Sequence, residues 1–123
     1  KTVEANDDKQ QQYDEFLRME KTVIDRGLFL QPKLERSDVA KEMGISTSHL
    51  NELFARFSDQ SFTNFINDLR MEHAAKLLKD KSNYTIEAIA NECGVPIRQT
   101  FYRLFSKKFG MTPAEYRNVV ADE

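Results

Sequence analysis

Val39–Phe54 reads VAKEMGISTSHLNELF, and Ile89–Phe105 reads IANECGVPIRQTFYRLF. Val39-Ala40, Gly44-Ile45, Leu50 and Leu53-Phe54 of the first stretch recur as Ile89-Ala90, Gly94-Val95, Phe101 and Leu104-Phe105 of the second. Ser61 and Phe65 extend the first copy as Thr112 and Tyr116 extend the second. Val39 to Ile89 is fifty residues and Leu50 to Phe101 is fifty-one, so the second copy carries one extra residue in its turn. Each copy reads as helix, tight turn, helix, then a capped third helix. A helix-turn-helix repeated in a small chain points to DNA binding at two neighbouring sites.

The spacing has a physical reading. The first helix of the motif braces a second, which enters the major groove. Close bracing needs a small residue, supplied by Ala40 and Ala90. The sharp turn needs a residue tolerant of positive φ, supplied by Gly44 and Gly94. Ile45 and Val95 anchor the chain after the turn. Leu50, Leu53 and Phe54, or Phe101, Leu104 and Phe105, fill the inner face of the second helix and leave its other face for bases.

The rest of the chain fits around the two copies. Residues 1–10 are polar and read as a frayed or linking segment. A helix over 11–27 places Tyr13, Phe16, Leu17 and Ile24 on one face and stops at Gly27. The first helix-turn-helix is expected over 35–58, with Glu35 where a polar cap normally stands and Ser46 capping the second helix. A joining helix runs over 61–79 from a Ser61 cap. Its apolar stripe is Phe62, Phe65, Ile66, Leu69, Ala74, Leu77 and Leu78. At ~1.5 Å per residue this rod is roughly 28 Å long, against ~34 Å between successive major-groove faces. The second helix-turn-helix follows over 85–109, opened by Thr85. Thr112-Pro113-Ala114-Glu115 starts a last helix over 112–120. No strand pattern of useful length appears. The expected fold is all-α: two helix-turn-helix subdomains joined by a long linker helix, plus an extra N-terminal helix; the domains are a polar N-terminal segment with its connecting helix over 1–33 and a DNA-binding domain over 34–123.

Composition excludes other classes. The chain has 123 residues, 40% of them hydrophobic, with four Gly and three Pro, enough for one compact unit or two small ones sharing a core. No run approaches the ~18 apolar residues of a membrane span, and no secretory signal appears. A single Cys rules out an internal disulfide and fits a reducing cytoplasm. The net charge of −2 is unhelpful as an average. From Pro96 to Lys108 there are four basic residues (Arg98, Arg103, Lys107, Lys108) and no acidic one. A local basic face matters more to phosphate than the total does.

VAKEMGISTSHLNELF (39–54), FINDLRMEHAAKLL (65–78), IEAIANECGV (86–95) and TFYRLFSKKFGMTPAEYR (100–117) together resemble the DNA-binding domain of the AraC/XylS family of bacterial transcription regulators. The resemblance runs from about Leu34 to Arg117. It is most specific in the last stretch, where phenylalanine, a basic pair, Phe-Gly, Thr-Pro and Tyr-Arg recur at the family's spacing. It implies that the third helix of each subdomain reads DNA. It also implies a longer regulator, with an upstream part that senses a ligand, pairs with a second copy or spans a membrane. Val95 stands where the family usually has Phe. Pro96 and Ile97 displace a small polar residue, and Ile97 is expected to fill the space left by Val95.

Matched position by position, the first reading helix offers Thr47, Ser48, Asn51 and Glu52, with Arg56 near the backbone. The second offers Arg98, Gln99, Thr100, Tyr102 and Arg103, with Lys107 and Lys108 behind. Arg98 can fork onto guanine, and Gln99 or Asn51 can pair bidentately with adenine. Glu52 either accepts from cytosine N4 or pairs within the chain. Tyr102 meets bases or the sugar-phosphate wall. Arg56, Lys107 and Lys108 suit phosphates, which position without specifying. Arg70, inside an apolar helix, is expected to pair with an internal carboxylate. Cys93 reads as a small buried residue. His49 and His73 lack metal-ligand spacing, Asp7, Asp8 and Glu115 have solvent or capping roles, and no catalytic constellation or cofactor motif is present. The reading is a non-enzymatic, cytoplasmic DNA-binding regulator whose partner is double-stranded DNA. Two alternatives stand beside it. One is a helical module that binds protein. The other is base reading by the second copy alone, with the first touching the DNA backbone or RNA polymerase.

Overall fold

Four hydroxyl side chains start four of the helices. Ser46 Oγ accepts from the His49 amide at 3.0 Å and opens α3 (Thr47–Phe57). Ser61 Oγ accepts from Asn64 at 3.1 Å and opens α4 (Phe62–Asp80). Thr85 accepts from Ala88 at 3.0 Å and opens α5 (Ile86–Glu92). At α7 (Pro113–Ala121) the exchange is reciprocal: the Thr112 amide donates to Glu115 at 2.9 Å, and the Glu115 amide donates to Thr112 Oγ1 at 3.2 Å. The remaining helices are α1 (Thr2–Asp25), α2 (Arg36–Met43) and α6 (Arg98–Phe109), with a short 3-10 turn at Leu28–Leu30. The structure, a computed structural model, describes residues 2–121. All regular structure among them is helical, as the sequence predicts.

The chain divides into two compact units, 1–28 with 33–65, and 29–32 with 66–123. The first contains α1, α2, α3 and the opening turn of α4. α2 lacks a hydroxyl cap, yet its start is closed: the Asp38 carboxylate reaches back to the Glu35 amide at 2.8 Å. Asp38 thus satisfies the Glu35 amide, as the third residue of a capping box does. Val39, Ala40, Leu50, Leu53, Phe54, Phe62 and Phe65 are buried.

α1 departs from the sequence reading in two ways. The helix begins at Thr2 rather than near residue 11, so 2–10 is not a linking coil. No Gly or Pro interrupts that stretch, and Gln10 bonds Asp14 one turn on at 3.0 Å. The buried stripe is Phe16, Met19 and Val23, while Leu17 and Ile24 are exposed. Both sets have helical period. Phe16 belongs to both, and it packs on the Phe54 and Phe57 rings of α3, 5.4 and 5.9 Å away. Tyr13 stacks on Phe57 from the edge of the stripe.

The second unit packs Met71, Ala74 and Leu78 of α4 against Ile89 and Ala90 of α5, Cys93, Val95, and Phe101 and Phe105 of α6. Tyr116 of α7 closes this core against Phe105, 5.4 Å away. Arg70 is buried without the carboxylate expected for it. Its guanidinium donates to the carbonyls of Phe29 and Gln31, both at 2.6 Å, and to Asn67. Carbonyls of a short 3-10 turn and the chain leaving it need donors, and a planar guanidinium supplies several at once. Burial pushes the Arg70 pKa down.

Both turns close by the same bond. The Ile45 amide donates to Ala40 at 3.0 Å, and the Val95 amide donates to Ala90 at 2.9 Å. Gly44 and Gly94 make that reversal with φ of 68° and 88°. Their surroundings differ. A Cβ on Gly44 meets nothing within 4 Å, whereas one on Gly94 lies 2.8 Å from the Leu30 carbonyl oxygen and 3.1 Å from Arg70 Nε. Gly44→Ala is expected to cost about 1–2 kcal/mol, the left-handed penalty alone. Gly94→Ala is expected to cost about 3 kcal/mol or more, since overpacking against fixed backbone adds ~1–3 kcal/mol. Urea unfolding of both variants checks this, and equal losses would show that the Leu30 segment yields.

Candidate nucleic-acid interface

A helix with a fully buried inner face must expose the opposite one. Leu50, Leu53 and Phe54 bury one side of α3, so Ser48, Asn51, Glu52, Ala55 and Arg56 stand exposed on the other, with Thr47 exposed at its start. Phe101 and Phe105 do the same for α6. Gln99, Arg103 and Lys107 lie on its outer face and Arg98 at its leading end, all exposed, while Thr100 and Tyr102 are half-buried at the flanks. Each unit thus gathers its own sequence-identified residues on one helix.

Local contacts sort these side chains. The Arg98 guanidinium lies over the Tyr102 ring, 4.7 Å from its centroid, and 3.9 Å from the Glu87 carboxylate. Arg98 and Tyr102, both expected to touch DNA, therefore form one stacked pair. Arg56 donates to Gln12 of α1, which draws its charge toward α1. His49 Nε2 and Glu15 Oε1 of α1 are 2.6 Å apart, and Glu52 is 3.8 Å from the other ring nitrogen. Glu52 nonetheless remains largely exposed.

Lys107 and Lys108 part company. They are neighbours in sequence but about 100° apart around a helix. Lys107 is exposed on the outer face. Lys108 falls on the inner edge, 3.7 Å from Asp68 and 3.6 Å from Glu72 of α4, with its side chain only 26% exposed. At the position matching Lys108 the first copy has Phe57, packed on Tyr13 and Phe16 of α1. The second copy thus seals with ion pairs the edge that the first seals with α1 aromatics.

Two surface residues escaped the sequence reading. Ala55 sits amid the outer face of α3, and its signal was the four-residue step from Asn51. Ile97, expected to fill space beside Val95, does not: Val95 is buried on its own and Ile97 is 66% exposed. α6 begins at Arg98, with Ile97 as an N-cap that offers no side-chain acceptor. Pro96 is the extra residue that the fifty-one-residue offset requires.

Other groups in the second unit are structural. Cys93 is buried, and burial pushes its thiol up to about 11, which leaves it protonated. His73 stands edge-on to Phe29, its pKa lowered first by burial and then by Lys76. Among the described residues no helix is long and apolar enough to cross a membrane.

Comparison with known proteins matches residues 39–118 to the helix-turn-helix domain family. The chain is 36% identical over 88 residues to the HTH-type transcriptional regulator YpdC of Escherichia coli, covering 72% of this chain and 30% of that protein. It therefore spans less than a third of that relative's length. It is 32% identical over 104 residues to the probable transcription factor PqrA of Proteus vulgaris, covering 80% and 84% of the two chains. A solved Chromobacterium violaceum transcriptional regulator, described as having an AraC-type DNA-binding domain, superposes with a TM-score of 0.71 at 25% identity, covering 92% of this chain and 95% of the other.

Capping at the start of α3 belongs to Ser46 alone. Ser46→Ala is expected to lower stability by about 1 kcal/mol through the lost cap. Thr47→Ala, one residue on and exposed, is expected to stay within ~0.5 kcal/mol. Thermal unfolding of the two variants distinguishes them, and a stable Ser46→Ala protein would deny the cap its role.

Proposed function

We propose that this chain, which belongs to the AraC-type helix-turn-helix family of transcription regulators, binds double-stranded DNA sequence-specifically with α3 and α6 as its reading helices. The observation that carries this is the outer face of α6. Arg98, Gln99, Arg103 and Lys107 stand exposed on a helix whose opposite side is locked by two buried phenylalanines, and no acid lies between Pro96 and Lys108. Arg98 suits guanine O6 and N7, Gln99 and Asn51 suit adenine, and Lys107 suits phosphate. Thr47, Ser48, Glu52, Thr100, Tyr102 and Arg103 complete the proposed contacts. Arg56 joins them when it leaves Gln12, and Lys108 contributes least, being held by Asp68 and Glu72.

The two helices are not equal. Glu52 of α3 occupies the place that Arg103 holds in α6, by the same fifty-one-residue offset. The electrostatic attraction to phosphate thus belongs to α6, and α3 contributes mainly hydrogen bonds. This favours the reading in which the second copy dominates affinity. An upstream sensing or pairing domain, contact with RNA polymerase and a cytoplasmic location are parts of the same proposal, drawn from the family.

Selection of bound duplexes from a random pool tests the reading. The expected product is a motif of two blocks about one helical turn, ~10 base pairs, apart. Arg98→Ala is expected to relax one base position at a cost of about 1–3 kcal/mol. Lys107→Ala should weaken all sequences alike and reduce the salt slope by about 0.9. Substituting the outer face of α6 should cost more affinity than substituting that of α3. No retained duplex at micromolar protein and low salt would replace DNA by a protein partner.

A further inference from the structure

Ile97 is the largest anomaly on the surface of the second unit. A β-branched apolar residue stands at the N-cap of α6, where serine, threonine, aspartate or asparagine normally accepts from the first turn. The first copy follows that rule at the equivalent place with Ser46, which caps α3 at 3.0 Å. At Ile97 the cap is forgone, and the side chain is 66% exposed instead of packed. Neither local structure nor the core accounts for it.

Its neighbours do. Ile97 directly precedes Arg98 and Gln99, the leading polar groups of the proposed reading face. With Pro96, Thr100 and Arg103 it lines an open recess of about 200 Å³ beside α6. Thr100, in the first turn of α6, lines the same recess. The residues that approach base edges in a helix-turn-helix are those at the start of the reading helix. The apolar group that the major groove offers there is the C5-methyl of thymine.

We propose that Ile97 reads thymine: its side chain packs on the C5-methyl of one thymine in the block bound by α6, beside the bases met by Arg98 and Gln99. Pro96 precedes it, and Ile97 keeps the N-cap place that Ser46 holds in the first copy. The assignment rests on the DNA-binding reading above and adds a specificity determinant that carries no hydrogen bond. It also explains the missing cap, because a polar capping side chain would turn back toward the first-turn amides of α6.

The test replaces each thymine of the selected duplex in turn by deoxyuridine, which removes the methyl and leaves every hydrogen bond. Wild-type protein is expected to lose about fourfold in affinity at one position in the α6 block, the effect of one buried methyl group. Ile97→Ser is expected to bind thymine and uracil duplexes alike at that position, whereas Ile97→Val keeps part of the preference. Serine is a favoured N-cap, so the serine variant is expected to melt no lower than wild type. The proposal is overturned if wild-type protein is indifferent to every thymine-to-uracil change in that block, if the block holds no thymine, or if Ile97→Ser shows the same loss. Failure of the wild-type protein to retain any duplex would overturn the DNA reading itself, and this one with it.

Discussion

The structure depends on a backbone bond made twice, in which the residue after the turn glycine donates to the carbonyl of an alanine five residues back. Such a bond is worth only about 0.5–1.5 kcal/mol net. Its importance is geometric. It is available only if the glycine adopts positive φ, and if the residue at the acceptor position is small enough for the chain to fold back over it. Those two demands select glycine and alanine at these places. Once the turn closes, the direction of the following helix is fixed relative to the brace, and so is the choice of which residues it buries.

Each copy adds its own support to this shared turn. In the first, α1 lies along α3, held by Phe16 against Phe54, Tyr13 against Phe57, and the Glu15–His49 contact. In the second, Arg70 gathers the 29–32 segment onto α4, and the Leu30 carbonyl occupies the space that a side chain at Gly94 would need. The contrast explains why one motif tolerates different residues at matching places. Phe57 and Lys108 each seal the inner edge of their helix, one with an apolar covering, the other with a pair of carboxylates.

The repeat, the helix order and most caps were legible because their causes are local. A Ser46 hydroxyl reaching three residues on, or Thr112 trading bonds with Glu115, needs nothing from elsewhere in the fold. What could not be read was set by partners distant in sequence. Two apolar stripes on α1 had helical period and shared Phe16, and only the packing of α1 in the fold turned Met19 and Val23 inward rather than Leu17 and Ile24. Arg70 looked like half of a salt bridge, yet its partners are carbonyls some forty residues away, which no side-chain pattern records. Lys107 and Lys108 looked alike as a basic pair, until the register of α6 turned one outward and the other toward Asp68 and Glu72. Ile97 was misplaced because exposure of a lone apolar residue leaves no periodic trace.

On the proposed reading, the charge difference between the two helices divides their work. A cationic face such as that of α6 gains from any phosphate, so it supplies attraction to every sequence and refines it with Arg98 and Gln99. A face carrying Glu52 cannot do this. Near phosphates an exposed carboxylate is repelled, and it recovers that loss only where a donor such as cytosine N4 meets it. The first reading helix, with Arg56 drawn toward Gln12 and Glu52 facing out, therefore acts by rejecting wrong sequences more than by holding right ones. The net charge of −2 is then part of the mechanism: it limits non-specific binding and leaves discrimination to the few side chains placed to make it.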